Sequence, residues 1–178
     1  MDRRVVCPYC DFTNIPGEDL CDRCGQSLSD SHLKDPRTAV ERGLLSDRVA
    51  QLRPKPPITV APTTPVGDVL RLMAERRIGC VFVVDAGRTV GVFTEKDAVE
   101  RLGANYAQLR ERAVGDFMTG QPAGVRGAVR IPYAIRQMDL GGYRHLPTFK
   151  DGNQIEGVIS VRDILRYLTE KISLTVTG

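Results

Sequence analysis

Two cysteine pairs near the start of the chain are the residues best suited to do chemistry. Cys7 and Cys10 form one Cys-x-x-Cys pair, and Cys21 and Cys24 form a second pair after ten intervening residues. Four thiolates at such a spacing are typical of a tetrahedral Zn²⁺ site. A segment of about 25 residues is too short to fold on an apolar core, whereas a bound metal can supply the folding free energy. The spacing therefore predicts a structural Zn²⁺ site with these four cysteines as its ligands.

Other chemistries for the four cysteines are less favoured. Two disulfides would need an oxidising compartment, and the first residues lack the apolar stretch of an export signal. A redox pair would need a βαβ context that this segment lacks. Iron held by the same four thiolates stays open as an alternative to zinc. The segment resembles a zinc ribbon, with a turn predicted at Pro16-Gly17, and the resemblance implies a surface for docking a protein partner.

A second kind of candidate site combines a hydroxyl and a carboxylate three residues apart, where a strand is predicted to end and a helix to begin. The two pairs are Thr94 with Asp97 and Ser160 with Asp163. Free N–H groups at a helix start favour a phosphate. A carboxylate one turn later can accept hydrogen bonds from a ribose diol. The spacing therefore indicates a nucleotide-binding helix start in each half of the chain.

The same spacing is also that of a capping box, which starts a helix without any ligand. Both interpretations stay open from the residues alone. Lys96 and Arg162 each precede the carboxylate by one residue and would balance phosphate charge. The second pair is the preferred site, because Arg144 and His145 lie nearby in the sequence and add donors.

The elements that must position these residues come from an internal repeat. A shift of 66 residues aligns Asp97 with Asp163 and Gly91-Val92 with Gly157-Val158, without a gap between residues 52 and 102. Each copy predicts strand, helix, strand, strand and helix. The predicted elements are 58–60, 66–77, 80–84, 89–93 and 95–102 in the first copy, and 125, 132–140, 145–149, 155–159 and 161–171 in the second. Residues 40–52, before the repeat, also show helical spacing, and Cys80 is predicted to be a buried core thiol.

These motifs resemble a tandem pair of CBS domains, the Bateman module, over residues from about 46 to 172. The matching segments are Gly91 to Asp97, Gly157 to Asp163, Val114 to Thr119 and His145-Leu146-Pro147. The first repeat departs from the pattern at Gly79-Cys80-Val81, and Ala123 to Gly127 makes a weak first strand in the second. The predicted fold class is therefore α/β (α+β), with two β-α-β-β-α CBS repeats packed pseudo-symmetrically and a small N-terminal zinc ribbon.

The resemblance also implies a ligand and a partner. It implies an adenosine-containing nucleotide, which is AMP, ADP, ATP or S-adenosylmethionine, bound in the cleft between the repeats. Backbone groups around Cys80 and His145-Leu146-Pro147, together with Thr59 and Val125, would line the base pockets. CBS pairs commonly form flat dimers through their helices, so a homodimer is expected. The predicted domains are a zinc ribbon at 1–28, a linker and helix start at 29–45, and CBS repeats at 46–108 and 109–178.

Charge and composition limit the remaining functions. The net charge is +3, but the first 30 residues contain six acidic and three basic residues, which disfavours nucleic-acid binding by the ribbon. The longest strictly apolar run has five residues, too short to cross a membrane. His32 and His145 are the only histidines, and no nucleophile–base pair is evident, so no enzyme is expected. We expect a cytoplasmic regulatory sensor whose ribbon docks a partner, with a ligand-free adaptor as the alternative.

Overall fold

The structure, a computed structural model, describes residues 5–7, 9–15, 18–28, 38–150 and 154–176. Three features named above lie outside these residues: the predicted turn at 16–17, residues 29–37 of the predicted linker, and His32. The chain divides into two compact units that interleave along the sequence. The first takes its described residues from Met1–Pro54, Val125–Leu146 and Ile159–Gly178, and the second from Lys55–Gly124 and Pro147–Val158. No helix among the described residues is long and apolar enough to cross a bilayer.

The second unit contains the four-stranded sheet of the first repeat. Its strands are β3 (Thr59–Val60), β4 (Cys80–Asp85), β5 (Arg88–Thr94) and β6 (Thr119–Gly120), in that spatial order. Strand β3 runs parallel to β4, and the other pairs are antiparallel. The β4–β5 register pairs Cys80 with Thr94, and a two-residue turn at Ala86-Gly87, both at positive φ, joins the strands. This turn lies where the Asp-Ala-Gly sequence predicts it.

Helix α2 (Val66–Arg76) supplies the apolar side chains that cover this sheet. Val66, Val69 and Met73 recur at helical spacing and are buried with Val81 and Phe93 of the strands. A helix is present at 95–102, as predicted, but it is not α-helical throughout. It consists of a single α-turn, α3 (Glu95–Asp97), followed by a wider π-turn at Ala98–Leu102, and Gly103 at positive φ ends it. A short helix, α4 (Tyr106–Leu109), follows.

The first unit is built around the helices of the second repeat. It contains α1 (Ala39–Ser46), a 3₁₀ turn (Val49–Leu52), α5 (Ile131–Gly141) and α6 (Val161–Val176). The single helix predicted over 40–52 is wrong, because Arg48 is extended and separates α1 from the 3₁₀ turn. The core of this unit is apolar and shared by all these segments. It contains Val49, Leu52, Val125, Val129, Ile131, Ala134, Met138, Leu146, Ile159, Ile164 and Tyr167.

The strands of the second repeat are β7 (His145–Phe149) and β8 (Ile155–Ser160), which form a two-stranded sheet. The first strand predicted at Val125 is wrong, since Val125 makes only a single bridge position. The backbone beside it passes close to an aromatic ring. A Cβ added to Gly124 would clash with the ring of Phe149 and would lie 2.8 Å from the carbonyl oxygen of Pro147. This close approach requires glycine, which disfavours a regular strand.

Cys7 and Cys10 lie in the loop of a small antiparallel hairpin, β1 (Val5–Val6) paired with β2 (Thr13–Asn14). Cys21 and Cys24 lie between Leu20 and Ser27, which form an isolated antiparallel bridge. Asn14 is buried and holds both ends of the segment together. Its side-chain amide donates to the carbonyl oxygens of Val5 and Phe12, and its side-chain oxygen accepts from the N–H of Asp22. Hydrogen bonds of the Asn14 side chain thus position this segment, which has no extensive apolar core of its own.

Candidate functional site

The four predicted metal ligands come together in one cluster. The Sγ atoms of Cys7, Cys10, Cys21 and Cys24 all lie within 4.8 Å of one another, and all four residues are buried. The Cys7–Cys24 and Cys10–Cys21 sulfur distances are both 3.6 Å. Tetrahedral Zn²⁺ with bonds of about 2.3 Å separates its sulfurs by about 3.8 Å, whereas a disulfide needs about 2.05 Å. The cluster therefore has the donor set and the dimensions of a four-thiolate metal centre, and its cysteines are free thiols.

Tight turns at the two Cys-x-x-Cys pairs position the sulfurs. In the first turn the N–H of Asp11 donates to the carbonyl oxygen of Cys7, and in the second the N–H of Gly25 donates to that of Cys21. Both donors have positive φ, which glycine adopts at little cost. The N–H of Tyr9 points to the sulfur of Cys7 at 3.4 Å. Backbone N–H groups directed at sulfur favour the thiolate, which is the form that binds a metal.

The protonation of the thiols follows from burial and from these N–H groups. Burial raises the pKa of Cys10 to about 11 and also raises the pKa of Cys24. At Cys21, burial is outweighed by backbone N–H groups of Cys24 and Arg23, and the pKa falls to about 7. Several thiolates in one buried cluster repel one another, so the fully deprotonated set needs a cation.

The cluster is packed against other residues of the first unit. Tyr133 of α5 packs against the cysteine cluster. Asp11, beside the first cysteine pair, forms ion pairs with Arg48 at 2.9 Å and Arg130 at 3.6 Å. Arg48 also donates to the carbonyl oxygen of Ala128. The cysteine segment is thus attached to the rest of the first unit by an aromatic contact and two arginines, none of which was predicted from the sequence.

The hydroxyl–carboxylate pair of the first repeat forms a reciprocal capping box. The N–H and the hydroxyl of Thr94 donate to Oδ2 of Asp97 at 2.9 and 2.6 Å, and the N–H of Asp97 donates back to the Thr94 hydroxyl. The other carboxylate oxygen accepts from the hydroxyl of Thr119 at 2.9 Å and faces Nε of Arg101 at 3.4 Å. The Asp97 side chain is 8% exposed. The alternative capping interpretation therefore describes what this motif does inside its own repeat.

The second repeat has a similar hydroxyl–carboxylate pair at the start of α6. The N–H and the hydroxyl of Ser160 donate to Oδ2 of Asp163 at 2.8 and 2.6 Å, and Nη2 of Arg166 lies 3.1 Å from its Oδ1. The Asp163 side chain is 3% exposed. The N–H of Val161, the first residue of α6, donates to the carbonyl oxygen of Arg144. Both predicted sites are thus real helix starts with a buried carboxylate.

The remaining predicted nucleotide residues fall into two groups, one in each unit. In the second unit, Cys80 pairs with Thr94 across β4 and β5, and Thr59 pairs with Phe82 on the next strand. Burial, and then the charge of Glu95, raise the pKa of the Cys80 thiol to about 12, so this thiol is an inert core group. Lys96 is exposed and lies 3.9 Å from Glu100. Pro147 is buried in this unit.

In the first unit, Val125 and Leu146 are buried in the core, so only their backbone groups are placed to meet a ligand. His145 is half-buried at the start of β7, and Arg162 is exposed on the first turn of α6. Two residues that complete the contacts of Asp97, Thr119 and Arg101, were not predicted as site residues from the sequence. The spacing of Arg101 four residues after Asp97 on a predicted helix was a signal that could have found one of them.

Comparison with known proteins identifies the family. Residues 49–104 and 114–170 match the CBS domain family. A 17.7 kDa protein of Acidianus ambivalens is 28% identical over 127 residues, which cover 71% of this chain and 76% of that protein. The CBS domain-containing protein CBSCBSPB2 of Arabidopsis thaliana is 32% identical over 148 residues, which cover 83% of this chain but 26% of that protein. The chain thus spans about a quarter of this plant relative.

Two solved structures share the fold. The CBS domain pair of protein MJ0100, solved with 5-methylthioadenosine and S-adenosyl-L-methionine, superposes with a TM-score of 0.62 at 21% identity and covers 70% of this chain and 97% of that one. CBSX2, solved in complex with AMP, superposes with a TM-score of 0.59 at 24% identity. The match covers 74% of this chain and 98% of that one. Because both repeats match the family, the chain belongs to the CBS domain family and contains two CBS domains in tandem.

Proposed function

We propose that the chain is a regulatory module that binds an adenosine-containing nucleotide, AMP, ADP, ATP or S-adenosylmethionine, through its CBS pair. The observation that carries this proposal is the matched pair of helix starts at Thr94 and Ser160, each with a buried carboxylate, in two repeats of one family. Related CBS structures were solved with AMP and with S-adenosyl-L-methionine. A ligand that favours one arrangement of the repeats would shift their population, which is the physical basis of sensing.

We place the principal site in the second repeat, because Arg144 and His145 lie beside the helix start of α6 and add donors. The carbonyl oxygen of Arg144 accepts from the N–H of Val161, the first residue of α6, and His145 begins strand β7 directly after Arg144. We therefore assign the phosphate and the ribose to the helix start of α6, with Arg162 on its exposed first turn as the phosphate cation.

Titration calorimetry with AMP, ATP and S-adenosylmethionine tests this proposal. Substituting Asp163 would remove a helix cap and confuse binding with folding, so the informative variant is Arg162→Ala, whose side chain is exposed. We expect this change to weaken AMP binding by about tenfold, which corresponds to ~1.4 kcal/mol for a charge-assisted contact. Lys96→Ala, at the matching position of the first repeat, is the control and is expected to change affinity by less than about twofold. The absence of heat with every adenosine ligand would refute the proposal.

For the four cysteines we propose a structural Zn²⁺ site. Cys7, Cys10, Cys21 and Cys24 would hold the metal, which would supply folding free energy to this segment. Iron remains the alternative for the same donor set. Because thiolate ligands persist in a reducing compartment, we place the protein in the cytoplasm. We assign to the ribbon the docking of a protein partner and no catalytic role.

A ligand-free adaptor is the second candidate function, and exposed apolar side chains on α5 and α6 favour its central feature, a homodimer. Leu140 is 65% exposed, Leu165 57% and Ile172 51%. Leu165 and Ile172 are seven residues apart and therefore lie on one side of α6, and an exposed apolar stripe of this kind is typical of an interface. In this alternative the repeats serve only for dimerisation. Nucleic-acid binding through the ribbon is the least favoured function, because four thiolates and one Zn²⁺ add about −2 to its acidic charge.

A further inference from the structure

Helix α5 presents two side chains to the cysteine cluster. Tyr133 and Arg136 are three residues apart and therefore lie on the same side of the helix. Tyr133 packs against the four cysteines. A Cβ added to Gly25, the residue directly after Cys24, would lie 3.9 Å from Nη2 of Arg136. One side of α5 thus places an aromatic ring against the cluster and a guanidinium beside Gly25, the neighbour of Cys24.

The charge of Arg136 lacks a counterpart in the described part of the chain. Its Nε is buried and has no hydrogen-bond partner there, and no acidic side chain among the described residues forms an ion pair with it. A buried guanidinium N–H without an acceptor is costly. A divalent metal with four thiolates carries a net charge of about −2, spread over the sulfurs. The loaded cluster would therefore supply the negative charge that this guanidinium lacks.

The opposite side of α5 belongs to the core of the second repeat. Ile131 and Ala134 are fully buried and Met138 is 5% exposed, all in the cluster that includes Leu146 and Ile159. A single helix of 11 residues therefore connects the cysteine cluster to that core. Contacts that fix the cluster-facing side of such a short helix also restrain its core-facing side.

We infer that Arg136 is a positioning residue of the metal centre, assisted by Tyr133, and that metal loading is coupled through α5 to the core of the second repeat. The inference rests on the proposed metal site. It predicts that removal of the Arg136 charge weakens metal binding without removing a ligand. It also predicts that metal removal loosens α5, which contains none of the four cysteines.

The first experiment measures metal affinity in the full chain by chelator competition with Zn²⁺, and reads the ligand set from the thiolate absorption of Co²⁺. We expect Arg136→Met to weaken Zn²⁺ binding about tenfold or more, as other outer-sphere changes do, with an unchanged Co²⁺ spectrum. Arg136→Lys keeps the positive charge and should retain most of the affinity. Arg76→Met, on the exposed surface of α2, is the matched control and should bind Zn²⁺ like the unaltered protein.

The second experiment needs no variant and covers the case in which Arg136→Met fails to fold. Hydrogen exchange of the unaltered protein is compared with and without Zn²⁺, and we expect the amides of α5 to lose at least tenfold in protection on chelation, while those of α2 change little. Equal Zn²⁺ affinity of the Arg136→Met and Arg76→Met variants, or unchanged exchange in α5, would overturn the inference alone. Absence of a Co²⁺–thiolate spectrum in the unaltered protein would instead refute the metal site itself.

Discussion

The Asp97 carboxylate caps the start of a helix and is also part of the segment that resembles the CBS family. Its two oxygens accept from Thr94 and Thr119 and face Arg101, and the side chain is almost fully buried. The Thr-x-x-Asp spacing predicted the contact with Thr94, because that contact is local. The contact with Thr119 joins residues 22 positions apart and depends on the pairing of β5 with β6, which no local pattern encodes.

The first prediction concerns this carboxylate. Asp97→Asn replaces one acceptor oxygen by an amide that faces donors, so we expect the free energy of unfolding to fall by about 1–3 kcal/mol. Urea denaturation monitored by circular dichroism measures the loss. Asp68→Asn, on α2 of the same repeat, is the control, because that side chain is 53% exposed and its ion pair with Arg71 contributes little. Equal midpoints for the two variants would show that the Asp97 contacts do not stabilise the repeat.

A second prediction concerns Gly124, whose close approach to a ring explains the missing strand at Val125. In Gly124→Ala the new methyl group would meet the Phe149 ring and the backbone of Pro147, so we expect a loss of about 1–3 kcal/mol. Gly120→Ala is the matched control, since its Cβ would lie 4.0 Å from the nearest atom. Thermal unfolding of both variants tests the difference. A Gly124→Ala protein as stable as the control would contradict the packing at this position.

At the scale of elements, a polar cluster holds α1 to α6. Oδ2 of Asp47, just after α1, accepts from the Tyr167 hydroxyl at 2.5 Å and lies 3.0 Å from Nζ of Lys171. Burial would raise the pKa of Asp47, but the Tyr167 hydroxyl and the Lys171 ammonium outweigh it and lower the pKa below its ordinary value. The apolar periodicity predicted the core-facing sides of these helices. The periodicity could not predict this cluster, because Asp47 lies 120 residues before Tyr167 in the sequence.

The third prediction follows from the lowered pKa of Asp47. A carboxyl group whose pKa is lowered in the folded state stabilises the protein at pH values above the ordinary Asp pKa of about 3.9. This contribution is lost as the pH falls through the pKa of the folded state. Asp47→Asn should therefore be less stable than the unaltered protein at pH 7, by about 1–3 kcal/mol, and the difference should shrink below about pH 4. Denaturation curves at several pH values measure it. Asp139→Asn, at an exposed position of α5, is the control and should leave the free energy of unfolding at pH 7 nearly unchanged. A pH-independent difference between Asp47→Asn and the unaltered protein would contradict this role of Asp47.

At the scale of the whole molecule, the repeat of 66 residues predicted two copies of one supersecondary pattern, and both copies match the CBS family. The compact units do not follow the copies. Segments 125–146 and 159–178 group with the start of the chain, and 147–158 group with the first repeat. A sequence repeat gives the order of elements, but their grouping depends on long-range packing. The predicted domain limits remain predictions along the sequence.

Native mass spectrometry of the full chain with AMP is the measurement that tests the central claim most directly, because one spectrum reports bound metal, bound nucleotide and subunit number. We predict a dimer that carries one zinc ion per chain and gains AMP adducts, with the adducts reduced in Arg162→Ala and retained in Lys96→Ala. A chain that retains no metal and gains no adduct with AMP, ATP or S-adenosylmethionine would contradict the account of a metal-containing nucleotide sensor.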